Sequence, residues 1–163
     1  MDTTKALKRG RDLVSEEVFA KLAKRIADEH HFETEMAERC LDQGLAFLGA
    51  CAVSTAPLSP SMAADIGWHT FILYTRDYAA FCEAVAGRFL HHVPDETEGT
   101  AAEEDVQTVL DRSAAAIRKA GYQVDRELWQ YEGALKCSQC HNGCAEDPPP
   151  VPPFIPGQGP GAN

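Results

Sequence analysis

The 163 residues carry 15 Lys and Arg against 25 Asp and Glu, a formal net charge of −10, and 44% of them are hydrophobic. These proportions are ordinary for one globular domain of this length, and the acidic balance argues against a general nucleic-acid binder, which needs clustered positive charge. No apolar run is long enough for a membrane span, and Met1-Asp-Thr-Thr-Lys-Ala-Leu-Lys-Arg lacks the apolar core of a secretory signal. The expectation is a cytoplasmic protein, with no nucleic acid or membrane among its partners. In that compartment the six cysteines are thiols or metal ligands rather than disulfides.

A first helical unit is expected to begin near Thr4 and to restart at Ser15, where Ser15, Glu16 and Glu17 read as an N-cap and an acidic first turn. Val18, Phe19, Leu22 and Ile26 supply its core stripe, Lys21, Lys24 and Arg25 face water, and His30 and His31 end it. Seven of the fifteen Lys and Arg fall in the first thirty residues, which reads as a solvated helix surface. A second helix is expected from about Glu33 to Ala52. Met36, Cys40, Leu41, Leu45 and Leu48 recur at helical spacing, with Cys40 and Cys51 as small buried hydrophobes. Ser54-Thr-Ala-Pro57-Leu-Ser-Pro60 is a loop.

The stretch from Ser61 to Leu73 reads as a third helix, apolar around most of its circumference and therefore buried. Met62, Ile66, His69 and Leu73 form one stripe, with Trp68 and Ile72 beside it. Asp65 stands one turn before His69, so its carboxylate can take a hydrogen bond from one ring nitrogen and aim the other. The same pair also reads as a core histidine satisfied by its aspartate. Thr75 begins a helix to Ala86 whose buried face is Tyr78, Phe81, Cys82 and Val85, and Gly87 ends it. The acidic residues from Asp95 to Asp105 are a solvated loop leading into a helix over about Ala101 to Ala120. Val106, Val109, Leu110 and Ile117 are its apolar positions, and a last short helix from Asp125 carries Leu128 and Trp129. No segment alternates with period two, so the fold class is all-α, a compact bundle of five or six helices over residues 1–135.

Residues 136–163 form a chemically distinct tail. Cys137-Ser-Gln-Cys140-His141-Asn-Gly-Cys144 offers three thiols and an imidazole, a tetrahedral S/N set suited to zinc. It equally fits a flexible thiol tail with no fixed metal. Cys137-x-x-Cys140-His141 also matches the attachment signature of c-type haem, but neither an export signal nor a haem pocket accompanies it, so haem is not expected. Seven prolines in the last sixteen residues point to an extended or disordered end.

Taken together, Asp65-x-x-Trp68-His69, Tyr78, Cys82 and Gly87-x-x-Leu90-x-His92 resemble the glycine-rich domain protein-like family of plants and small bacterial relatives, a domain of unknown biochemical function. One position departs: Phe71 stands where that family has a second histidine. The resemblance spans residues 60–92 and implies a polar site holding His69 and His92, with Asp65, Trp68 and Tyr78 around it. The family's cysteine- or glycine-rich C-terminal extensions are echoed by Cys137–Cys144.

Three functions fit this pattern. The favoured one is a non-catalytic binding module that takes a metal, zinc foremost, or an unidentified protein partner. The second is a metalloenzyme in which His69, His92 and Cys82 hold zinc, copper or iron with one position open. The third is a carrier domain for the Cys-rich tail. No P-loop, dinucleotide fingerprint or Ser-His-Asp pattern argues for other chemistry.

Overall fold

The computed structural model describes residues 6–92 and 105–131. Five α-helices run through them: α1 Glu16–His30, α2 Thr34–Val53, α3 Met62–Leu73, α4 Thr75–Ala86 and α5 Val106–Lys119. Short 3-10 turns occupy Gly10–Leu13 and Arg126–Trp129, and no strand occurs among the described residues. The fold is all-α. None of these helices is long and apolar enough to cross a membrane.

The helix starts follow local chemistry. Ser15 and Ser61 sit in extended backbone and accept hydrogen bonds from the Val18 and Ala64 amides, each at 3.2 Å. Asp105 does the same for Thr108. Two ends are closed by left-handed residues, His31 at φ 55° and Gly87 at φ 64°. Each cap satisfies backbone groups that the helix cannot pair itself.

The longest helix, α2, lies in the middle and touches α1, α3, α4, α5 and the first 3-10 turn. Its closest neighbour is α3, and the reason is a pair of facing glycines. A Cβ at Gly44 would come within 2.8 Å of the Ala64 carbonyl oxygen and 3.2 Å of the Gly67 Cα. One at Gly67 would meet the Cys40 carbonyl oxygen at 2.8 Å and the Leu41 Cα at 3.0 Å. The two backbones therefore cross with no side chain between them, which only glycine allows. Phe19, Leu22 and Ile26 of α1, Leu41, Leu45, Phe47 and Leu48 of α2 and Trp68 and Phe71 of α3 fill one continuous core around that crossing. Cys40 is fully buried, and burial pushes its thiol up to about 12; Cys51 is only half-buried.

A buried glutamine fastens the C-terminal segment to α2. Gln43 Oε1 accepts from the Asp125 amide at 3.0 Å and from Trp129 Nε1 at 2.9 Å. Its Nε2 donates to Asp42 at 3.0 Å and to the Gln123 carbonyl at 3.3 Å. Outside it, Arg39 grips Asp125 through Nε and Nη2 and reaches Glu127 with Nη2, and these contacts raise the guanidinium pKa. Lys8 pairs with Tyr122 and Gly121, so both ends of the described chain meet on α2.

Several expectations need correction. Residues 6–9 are not helical, and the helix expected near Thr4 is replaced by the Gly10–Leu13 turn. Gly10 there lies against the backbone of Asp42 and Ala46, an approach that fixes a turn rather than a helix. On α3 the buried residues are Ala63, Ala64, Asp65, Ile66, Gly67, Trp68, Thr70 and Phe71, while Leu73 is 60% exposed. The helix is thus rotated away from the expected stripe, because the Gly67 crossing, not the largest apolar residues, sets which face meets α2. α5 begins at Val106, which is exposed, because Asp105 already caps it. The last helix is a single 3-10 turn. The expected boundary at residue 135 and the tail lie outside the described residues.

Candidate metal centre

Asp65, in the first turn of α3, is buried, and its carboxylate stands between two imidazoles. Oδ1 lies 2.8 Å from His92 Nε2, and Oδ2 lies 3.1 Å from His69 Nδ1. The same His69 nitrogen lies 3.1 Å from the Asp65 backbone oxygen, a bond that helical spacing of four residues makes available. With Nδ1 donating to these two oxygens, His69 carries its proton there and presents Nε2 outward. The carboxylate raises the His69 pKa above its ordinary value, chiefly through the side-chain hydrogen bond and against the opposing effect of burial.

The two rings touch, with centroids 4.0 Å apart and planes at 62°. On its other side His92 lies 4.3 Å from the Trp68 ring. The side chains of Asp65 and His92 are 8% and 9% exposed, whereas that of His69 is 48% exposed. The site is therefore a cleft with a closed back and one open side.

His92 arrives from outside the helices. After Gly87 the chain runs without regular structure through residues 88–92 and lies across α3 and α4 as a strap. The Tyr78 hydroxyl donates to the Leu90 carbonyl and accepts from Trp68 Nε1 at 2.8 Å. The Leu90 amide points at Cys82 Sγ at 3.5 Å, and the Leu90 side chain is buried. Burial drives the Tyr78 hydroxyl well above its ordinary pKa, so at neutral pH it stays a neutral donor. Trp68, Tyr78 and Cys82 thus hold the strap that carries His92. Cys82 belongs to that packing and stands apart from the carboxylate–imidazole group, which consists of Asp65, His69 and His92.

Each of those three residues offers a ligand atom, all within 4.8 Å of one another. Ligand atoms 2.0–2.1 Å from one metal in tetrahedral geometry are spaced by about 3.4 Å. The 2.8 and 3.1 Å pairs are near that edge length, but both nitrogens meet Asp65 through hydrogen bonds, so binding a metal through them requires that they release those protons. Two imidazoles and one carboxylate on one side of a metal form a set suited to zinc or iron with positions left open. Cys137, Cys140, His141 and Cys144 lie outside the described residues. Sequence reasoning reached Asp65, His69 and His92 but not the Trp68–Tyr78–Leu90 hydrogen-bond chain, for which no spacing rule exists across a loop.

A family model described as UCP032817-like matches residues 9–120. No curated protein and no solved structure matches the chain. The likeness to the glycine-rich domain family is thereby overturned. The positions that carried it serve general needs of this packing: Gly87 closes a helix, Leu90 and Cys82 dock the strap, and Trp68 and Tyr78 bond to each other. Such a pattern reports local construction rather than descent. The match covers well over half of the 163 residues, and the chain belongs to the UCP032817-like family.

Proposed function

We propose that this UCP032817-like chain is a non-catalytic metal-binding module whose site is Asp65, His69 and His92. The observation that carries the reading is the placement of one buried carboxylate between two imidazoles, with all three ligand atoms within 4.8 Å. A buried carboxylate is costly unless paired, and two of its partners here are imidazoles, which can act as neutral metal ligands. In the metal-free state the three groups satisfy one another by hydrogen bonds, which keeps the ligands oriented before a metal arrives. Zinc is the first candidate, since two nitrogens and one oxygen satisfy its preferences and neither thiolate nor redox chemistry is required.

The Cys137–Cys144 segment would make a second, thiolate-rich site, a reading that rests on sequence alone. The test must therefore separate the two. The full chain and a C137S/C140S/C144S variant are titrated with cobalt(II) as a spectroscopic stand-in for zinc. The variant is expected to bind one equivalent and to show visible d–d bands with no sulfur charge transfer. Adding Asp65→Asn or His92→Gln to that variant should weaken binding at least tenfold, in line with the loss of a ligand or its orienting partner. A tail-substituted chain that binds no cobalt would refute the assignment.

A further inference from the structure

Resting on that metal-binding reading, we infer that Tyr78 is the positioning residue of the centre. Through the Leu90 carbonyl it sets where His92 stands, and so how tightly a metal is held. Asp65 and His69 are both carried by α3, and their contact follows from helical spacing. His92 lies on the non-helical segment 88–92, where no helical register places it.

The hydrogen bonds allow one arrangement. Trp68 Nε1 can only donate, so the Tyr78 oxygen accepts from it, at 2.8 Å, and the single hydroxyl proton is left for the Leu90 carbonyl. Trp68 therefore aims the hydroxyl that Tyr78 turns on the strap. The phenol ring is anchored in the core, edge to face with Phe71 at 5.2 Å, and its burial keeps the hydroxyl protonated at neutral pH.

Two residues beyond Leu90, the His92 ring meets the Trp68 ring at 4.3 Å and puts Nε2 2.8 Å from Asp65 Oδ1. The contacts close a circuit from indole to phenol to carbonyl, along two residues of backbone, and back onto the indole. A shift at Leu90 reaches His92 along that backbone, whereas Asp65 and His69 are tied to the helix. Other contacts also dock the segment, among them the Leu90 amide on Cys82 Sγ at 3.5 Å and Arg88 Nη2 on the Cys51 carbonyl at 3.2 Å. What sets the Tyr78 bond apart from these two is its tie to Trp68, against which His92 packs.

Tyr78→Phe removes the hydroxyl and keeps the ring. It is made in the full-length C137S/C140S/C144S chain, alone and combined with His69→Gln or His92→Gln, and cobalt(II) affinity is measured without denaturant on chains shown to be folded by circular dichroism. Alone, it should raise the dissociation constant about tenfold or more, the cost of removing an outer partner of a metal ligand. The same factor is expected with His69→Gln in place. With His92→Gln in place the effect should fall within about twofold, because a residue acting through His92 then has nothing left to place. A Tyr78→Phe chain that binds like its parent, or an equal loss with and without His92, would overturn the inference. Leu90→Ala, which truncates the strap's own buried side chain, should show the same asymmetry and carries the test if Tyr78→Phe does not fold; equal losses there would overturn it too. A second readout needs no metal: the His92 ring protons, shifted by the ring current of Trp68, should move toward unstructured values in Tyr78→Phe. Unchanged shifts would overturn the positioning role. Absence of cobalt binding in the parent chain would remove the metal reading, and the ring shifts would still decide whether Tyr78 places His92.

Discussion

Gln43→Leu is the substitution that most directly tests how the described domain is closed. Gln43 is 2% exposed and makes four hydrogen bonds, accepting two of them from the Asp125 amide and Trp129 Nε1. Leucine is no smaller than glutamine, so the cost lies in stranded polar groups rather than in a cavity. Trp129 Nε1 is buried, and its orphaning should cost about 1–3 kcal/mol; the part-buried Asp125 amide adds up to about 1 kcal/mol. The Gln123 carbonyl and the Asp42 carboxylate lie close enough to solvent to be rehydrated. The expected loss is therefore about 1–4 kcal/mol, read as a fall in the urea midpoint at unchanged slope. In thermal terms this is about 2–4 °C per kcal/mol for a chain of this size. Gln43→Glu sharpens the test. It keeps the Oε1 acceptor but puts a second carboxylate oxygen where Nε2 now stands, 3.0 Å from Asp42. The penalty should be small at low pH and grow as pH rises through the ordinary carboxylate range, because ionisation is what the site opposes. A Gln43→Leu chain within about 0.5 kcal/mol of the parent, the range of an ordinary surface change, would refute the reasoning.

Two further outcomes follow. Gly67→Ala should destabilise by up to about 2 kcal/mol net, since overpacking against the Cys40 and Leu41 backbone of α2 outweighs about 1 kcal/mol of added helix propensity; an alanine chain more stable than the parent in urea would contradict the glycine crossing. For His69, the folded pKa is raised above the ordinary value of 6.5. Its contact with Asp65 therefore stabilises the protein fully below that value, and the contribution disappears as pH rises through the raised folded pKa. His69→Gln should lower the urea midpoint more at pH 5.5 than at pH 8.5, and a larger loss at the higher pH would show the opposite linkage. Because His69 is half-exposed, the difference should shrink in added salt.

Much of the helical layout was legible in the residues. Ser15 with Glu16 and Glu17, Ser61, and Thr75 through Gly87 are local signals, and the observed helices begin and end beside them. The rotation of α3 was not legible, because a helix apolar on nearly every side has no preferred stripe to read. What decides it is a glycine on another helix, twenty-three residues earlier in the chain. Gln43 was invisible for a similar reason: a single polar residue in α2 acquires meaning only when Asp125 and Trp129 fold back upon it. Within the site, the Asp65–His69 contact could be read from spacing, and it is present. The convergence of His92 was reached only through a family likeness that the family match replaces with another.

The strap has a consequence for how occupancy of the site could be felt elsewhere. Two of the three ligand residues are fixed on α3, whereas His92 lies on a non-helical segment whose contacts include the Leu90 carbonyl on Tyr78, the Leu90 amide on the Cys82 thiol and the buried Leu90 side chain. Thermodynamic linkage then requires that any free energy of metal binding be shared with the docking of that segment. At a free metal concentration one hundred times the dissociation constant, the docked form gains about 2.7 kcal/mol over an undocked form that cannot bind. The Leu90 amide, whose acceptor is the sulfur of Cys82, is the natural reporter. Its hydrogen exchange should slow by about a hundredfold on loading if opening of the strap is what exposes it. Amides in the middle of α2 should respond only through global unfolding.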